Sequence, residues 1–251
     1  MSKINIHAGH NAPGKTACGA VGLLDESREN RRVKNELIKI LKEDHTVYDC
    51  TVDNAKSVND NLYEIVAKCN AHKVDLDVSL HLNSGAKDKK GNGKTTGTEV
   101  LVTSTDGIKG KAAANICKEM AALGFKSRGT KIRNDLYVLN RTTAKALLVE
   151  ICFVDDRDDY NLYNKLGPEK IARAIAKGIN DALPGNKEKE FKVKVKASAL
   201  NIRKGPGTKY GIVSAITGYG TYTITETDGN WGKLKSGKGW INISDKYCKR
   251  L

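Results

Sequence analysis

Three strand-like runs in this sequence stop abruptly, and each leaves a metal-ligating or acid–base side chain at its carboxyl end. Lys3-Ile4-Asn5-Ile6-His7-Ala8 is rich in β-favouring residues and breaks at Gly9, with His10 just beyond. Val74 to Leu80 alternates and stops at His81, while Ala146-Leu147-Leu148-Val149 stops at Glu150. A fourth group, Glu26, follows Leu23-Leu24-Asp25 where a helical pattern begins. Two imidazoles and two carboxylates are the inventory of a catalytic zinc site, in which three protein ligands leave one position open to water. Such a site requires the three runs to be neighbouring parallel strands, because ligands and metals collect at the carboxyl edge of an open α/β sheet.

Taken one at a time, these residues have ordinary readings. A histidine at a strand end is usually a loop residue, and Glu26 alone is a first-turn carboxylate favoured by the helix dipole. Glu150 is harder to dismiss: it sits among apolar residues, where a carboxylate without partners is costly. His7, His45 and His72 lack comparable company and are read as structural.

The elements that must position these groups follow from periodicity. Val33, Leu37, Ile40 and Leu41 form a helical stripe within residues 26–42, and Leu62, Ile65 and Val66 form another within residues 58–69. Residues 45–50 and 98–104 read as strands, residues 107–123 as a helix, Tyr137-Val138-Leu139 as a short edge segment, and residues 168–183 as the last helix. The alternation predicts βαβ units and an α/β fold with a largely parallel twisted sheet flanked by helices. Residues 83–97 carry Ala86 as their one apolar side chain and read as a mobile basic loop beside His81, with Asn83 a candidate substrate contact. The cluster Asp155-Asp156-Arg157-Asp158-Asp159 reads as a helix start rather than a metal site.

Pro184 to Glu190 reads as a polar linker, dividing a domain over residues 1–184 from one over residues 191–251. In the second domain, β-rich runs at 191–195, 212–215, 221–226, 231–235 and 239–243 alternate with Gly, Pro, Asn and Asp turns, predicting a small all-β barrel. Tyr210, Trp231 and Trp240 are its candidate ligand-contacting or core aromatics. The formal net charge is +14, and from position 185 onward 14 Lys and Arg face 5 acidic residues, so the tail is the expected docking surface for an anionic partner. Charged residues at 29% and hydrophobic residues at 39% suit a globular chain. No run approaches a membrane span, and Met1-Ser2-Lys3 leads into the first strand without an apolar export segment. The six cysteines include no CxxC pair and are expected to be reduced and structural.

One motif misleads. Gly9-His10-Asn11-Ala12-Pro13-Gly14-Lys15-Thr16 satisfies the phosphate-loop pattern, but Ala17-Cys18-Gly19-Ala20-Val21-Gly22 follows instead of a helix whose N-terminus would cradle phosphate. No nucleotide is expected.

Gly9-His10-Asn11, Glu26, Ser79-Leu80-His81-Leu82-Asn83-Ser84 and Leu148-Val149-Glu150-Ile151-Cys152-Phe153-Val154-Asp155 together resemble the zinc-dependent N-acetylmuramoyl-L-alanine amidases of the amidase-3 group, over about the first 180 residues. The resemblance implies His10, Glu26 and His81 as ligands of one Zn2+ and Glu150 as the catalytic carboxylate. It implies cleavage of the amide between the lactyl group of N-acetylmuramic acid and L-alanine in peptidoglycan. Ala199-Leu200-Asn201-Ile202-Arg203-Lys204-Gly205-Pro206-Gly207 and Lys238-Gly239-Trp240-Ile241 resemble bacterial SH3 domains. The combination is similar to phage endolysins of Gram-positive, especially clostridial, hosts. That implies synthesis in the host cytoplasm without a signal peptide, holin-assisted release, and action on the wall. Peptidoglycan and anionic wall polymers are the implied partners, with no nucleic acid and no membrane. The family's glycine-rich, Asp-containing stretch after the first histidine is replaced by Asn11 to Thr16. A zinc peptidase acting on the stem peptide, and a non-catalytic wall- or polyanion-binding protein, are the rival readings.

Overall fold

The computed structural model describes residues 1–183 and 190–251. The chain divides into two compact units, Met1–Gly185 and Asn186–Leu251, and most of the expected linker lies outside the described residues. In the first unit the elements are β1 (Lys3–Ala8), α1 (Glu26–Leu41), β2 (Thr46–Asp49), α2 (Val58–Asn70), β3 (Leu76–Asn83), β4 (Thr98–Val102), α3 (Gly107–Ala122), β5 (Ser127–Ile132), α4 (Tyr137–Arg141), β6 (Ala146–Phe153) and α5 (Arg157–Asn180). The sheet order is β2-β1-β3-β6-β4-β5, parallel throughout except that β4 runs antiparallel to β6.

Period-two alternation sorts the strand residues onto two faces. Ile4 and Ile6 of β1, Leu76, Val78, Leu80 and Leu82 of β3, and Leu147 and Val149 of β6 pack in the main core with residues of α1, α3 and α5. The opposite face meets two smaller clusters, one built from Cys50, Val52, Ile65, Val66, Cys69 and Val138, the other from Leu101, Leu139, Ala146 and Leu148. The polar residues of β3, namely Asp77, Ser79, His81 and Asn83, alternate out of the main core and run toward the strand's carboxyl end.

Four expectations are corrected here. His81 and Glu150 are strand residues inside β3 and β6 rather than residues beyond strand ends. Tyr137 to Leu139 belongs to the short helix α4, not an edge strand; Val138 and Leu139 bury into clusters on the second sheet face. The last helix begins at Arg157, capped by Asp156, whose side chain accepts from the Asp159 amide; its break at Gly167 (φ 74°) precedes Pro168. The acidic cluster is therefore a helix start, as read from the sequence. Residues 83–97 are tied down along their length: Asp155 accepts from the amides of Gly85, Ala86 and Lys87, Asp158 from those of Asn92, Gly93 and Lys94, and Asp159 from that of Gly97. The loop lacks apolar anchors, and carboxylates from the start of α5 replace them.

The second unit is all β: β7 (Phe191–Val195), β8 (Ala199–Arg203), β9 (Ile212–Thr217), β10 (Thr221–Asp228), β11 (Trp231–Leu234), β12 (Trp240–Asn242) and β13 (Cys248–Arg250). They form one antiparallel sheet in the order β13-β7-β10-β11-β12-β8-β9 around Val193, Val195, Leu200, Ile202, Ile216, Ile224, Leu234 and Ile241. All six cysteines are free, five of them buried. Among the described residues no helix is long and apolar enough to cross a membrane.

Candidate metal centre and active site

The turn after β1 presents its histidine in an unusual conformation. His10 has φ 62°, a left-handed backbone that costs a non-glycine residue about 1–3 kcal/mol and persists where surroundings fix it. Arg31 on α1 does the fixing: its guanidinium donates to the carbonyls of Gly9, His10, Ser27 and Val52 and pairs with Asp53. Asn11, fully buried, donates to the carbonyls of Thr16 and Ala55 and accepts from the Ala55 amide and the Asn61 side chain. The glycine-rich stretch that this sequence lacks is thus replaced by an asparagine-centred turn. No helix follows it before Glu26, and Lys15 is exposed, so the segment is not a phosphate loop.

Glu26 is the first residue of α1, fixed behind the N-cap Asp25. Its Oε2 accepts from the Ala20 amide at 2.9 Å, and its Oε1 accepts from the Leu82 amide at 3.2 Å. The same Oε1 lies 3.2 Å from His10 Nε2 and 2.9 Å from His81 Nδ1. Burial opposes ionisation of this carboxyl, but the contacts with His10 and His81 outweigh it and hold the group well below the usual carboxylate range. One ligand atom from each of His10, Glu26 and His81 lies within 4.8 Å of the other two, the one such group among the described residues. Two imidazole nitrogens around one carboxylate oxygen fit a divalent cation of the zinc type. Two glycines make room for this convergence. A Cβ at Gly9 would overlap the His81 ring, and one at Gly19 would overlap the Glu26 carboxylate.

Glu150 is paired in register with His81 across β3 and β6, which brings its carboxylate to the same edge. Its Oε2 is buried without a hydrogen-bond partner. Burial, together with the charges of Glu26 and Glu99, pushes its carboxyl up to about 8. Glu99 is the residue that sequence reasoning missed. It pairs with Glu150 across the antiparallel β4–β6 contact, accepts from Asn83 Nδ2 at 3.0 Å, and forms an ion pair with Arg128 at 2.8 Å. Within its own strand Glu99 reads as one polar residue in Thr98–Val102, and only the antiparallel register puts it beside Glu150. Asn83 thus sits at the metal edge with its amide engaged by Glu99, and its own Oδ1 accepts from the Ser84 amide.

His7, near the carboxyl end of β1, is completely buried, and burial and the nearby His81 push its imidazole down to about 3. In the second unit Trp240 is only 9% exposed, with the Lys233 ammonium 5.7 Å from its ring centre, whereas Tyr210 is 37% exposed and Trp231 is half-buried.

Against known proteins, the family model for N-acetylmuramoyl-L-alanine amidase matches residues 4–181. The chain belongs to that family. A second model, the bacterial SH3 domain, matches residues 198–247. An uncharacterized protein of Clostridium perfringens (strain 13 / Type A) is 36% identical over 184 residues, 71% of this chain and 52% of that one. The endolysin of Bacillus phage SPP1 is 31% identical over 193 residues, covering 73% of this chain and 67% of its own. Among solved structures, the catalytic domain of the CD27L endolysin targeting Clostridia Difficile superposes with a TM-score of 0.64 at 31% identity, covering 74% of this chain and 100% of its own. The catalytic domain of CwlV, an N-acetylmuramoyl-L-alanine amidase from Bacillus (Paenibacillus) polymyxa var. colistinus, gives 0.59 at 26% identity, over 72% of this chain and 97% of that one. The chain spans about half the length of the two Clostridium perfringens relatives it matches. The amidase match covers every residue of the convergent set, from His10 to Glu150.

Proposed function

We propose that this protein is a peptidoglycan hydrolase that cleaves the amide between the lactyl group of N-acetylmuramic acid and L-alanine, with His10, Glu26 and His81 holding one Zn2+. The observation that carries the reading is the meeting of His10 Nε2, Glu26 Oε1 and His81 Nδ1 beside a carboxylate, Glu150, that has a buried and unpartnered oxygen. The bound zinc would supply Lewis acidity, polarising the scissile carbonyl and making water nucleophilic near neutral pH. Glu150 takes the proton from the attacking water and returns it to the departing L-alanine nitrogen as the C–N bond breaks, so the products are a glycan strand and a free stem peptide. Arg31 and Glu26 keep His10 and His81 facing one point. Asn83, held by Glu99, is the substrate contact at the same edge.

Residues 1–184 act as the catalytic domain, and residues 191–251 as the wall-binding domain. In the latter, Tyr210, Trp231 and Trp240 contribute to substrate contact or to the core beneath it, and the positive charge attracts anionic wall polymers. Synthesis in the host cytoplasm followed by holin-assisted release would bring the protein to the wall, a route supported by the likeness to the phage SPP1 endolysin.

The experiment is digestion of purified peptidoglycan followed by mass analysis of the fragments. Free stem peptides with an L-alanine amino terminus and intact glycan strands are expected. New peptide ends within the stem would instead identify a zinc peptidase, and uncut walls would identify a binding protein. Metal analysis runs alongside: H10A and H81A should lose stoichiometric zinc, and unchanged zinc content in both would refute the ligand assignment.

A further inference from the structure

Beside the candidate ligands His10 and His81 the structure leaves a small hollow. A cavity of about 50 Å³ is lined by His7, Gly9, His10, Asn61, Ile65 and His81, among others. That is room for water, a single molecule of which needs about 10–15 Å³ of such space. His7 reaches it from β1 and is fully buried. Its Nδ1 lies 3.5 Å from Ser79 Oγ, and its Nε2 has no hydrogen-bond partner in the protein. A buried polar nitrogen left unpaired is costly, and the cavity's other walls include Val58, Leu62, Ile65 and Val138, which offer it nothing.

His81 is in the complementary position. Its Nδ1 faces Glu26, so Nε2 is the ring nitrogen left for another partner. The His81 ring packs directly against Gly9, where a Cβ would overlap it, and both His81 and His7 line the same cavity. Metal-ligating histidines almost always donate their outer N–H to a carboxylate, a carbonyl or a water, which fixes both tautomer and ring orientation. Here no carboxylate outside the ligand set lines the cavity.

We propose that one water in this cavity links His81 Nε2 to His7 Nε2, making His7 a positioning residue for the metal ligand His81. The inference rests on the reading of His10, Glu26 and His81 as zinc ligands and adds the partner that orients one of them. Asn61, which also lines the cavity and donates to Asn11, supplies a further polar wall for the water.

Zinc affinity of the full chain, measured against a competing chromophoric chelator, tests the link in wild type, H7F and H7Q. H7F keeps the ring and fills the cavity, and H7Q keeps a polar group. Metal-free H7F should melt at or above the wild-type temperature while binding zinc about 10–100-fold more weakly, and H7Q should recover most of the affinity. Wild-type affinity in H7F overturns the proposal, as does an equal loss in H7F and H7Q, which would make space rather than hydrogen bonding the cause. If H7F does not fold, the wild-type zinc protein still decides: ¹⁵N-resolved histidine spectra should show a slowly exchanging proton on His81 Nε2, and its absence refutes the link. Failure of the functional reading is separate, because a wild type that binds no zinc overturns that reading, whereas a wild type that binds zinc and cleaves walls beside an unimpaired H7F overturns only the role of His7.

Discussion

Glu150 and Glu99 share one face of adjacent strands, and the second carboxylate is committed to Arg128 and Asn83, leaving Glu150 as the group that can exchange a proton. E150Q should keep its zinc and lose at least about a hundredfold in turnover, the low end for removing general acid–base help. Near-normal lysis by zinc-loaded E150Q would rule the role out. Glu150 also sets a pH dependence in the metal-free protein. Its folded carboxyl is raised from 4.5 to about 8, so between those values the folded state holds a proton that the unfolded chain has lost. Stability therefore falls as pH rises through that window, and thermal melts should show a slope in wild type that is flattened in E150Q. Because Glu99 helps to raise that carboxyl, E99Q should move the acidic limb of the wall-lysis profile, kcat/KM against pH, to lower pH by about half a unit or more. An unmoved limb would mean that Arg128 already cancels the charge of Glu99.

At the scale of elements, the start of α5 does two jobs: it caps its own first turn through Asp156 and gathers the backbone amides of the loop over residues 84–97 through Asp155 and Asp158. Backbone hydrogen bonds to Asp155 help to hold its carboxyl below its usual value, against the opposing effect of burial. Hydrogen bonds to a charged acceptor contribute about 1.5–3 kcal/mol each, so removing three should open the loop without unfolding the sheet. In D158A, trypsin should cut after Lys89, Lys90 or Lys94 at least about ten times faster than in wild type, with the main thermal transition little changed. Equal cutting rates would show that other contacts hold this segment.

For the whole molecule, the two compact units carry unequal charge, with 14 basic against 5 acidic residues from position 185 onward. If attraction to anionic polymers were the entire basis of wall binding, it would vanish at 0.5 M salt, where the Debye length is well below the roughly 8 Å of physiological salt. A fragment over residues 191–251 should retain part of its wall binding there in pull-downs across a salt series. Y210A should then reduce the salt-resistant part by about tenfold, as loss of an exposed aromatic anchor does. Tyr210 is the informative target because Trp240 is buried and its removal would damage the fold. Binding that disappears with salt would reduce the second unit to a basic appendage.

The sequence by itself determined what is local. Strand-like runs around His7, His81 and Glu150, a helical pattern beginning at Glu26, and the change of period after Pro184 are set by neighbouring residues, and they make the ligand types and the two kinds of unit legible, although β3 and β6 run on through His81 and Glu150. The amidase resemblance then assigned roles within that set. What depends on pairing between distant strands was not legible. Ser127–Ile132 has no apolar alternation and becomes β5 only by pairing with β4. Ala199–Arg203 reads as a motif, but its place as β8 between β9 and β12 comes from antiparallel pairing across the sheet. The antiparallel direction of β4 decides that Glu99 meets Glu150, and the fold of α5 against the loop decides that a glycine- and lysine-rich segment is pinned. Likewise His7 reads as an ordinary strand histidine until β1 and β3 lie side by side; register then places it and His81 around one small cavity, because alternate residues of parallel neighbours share a face.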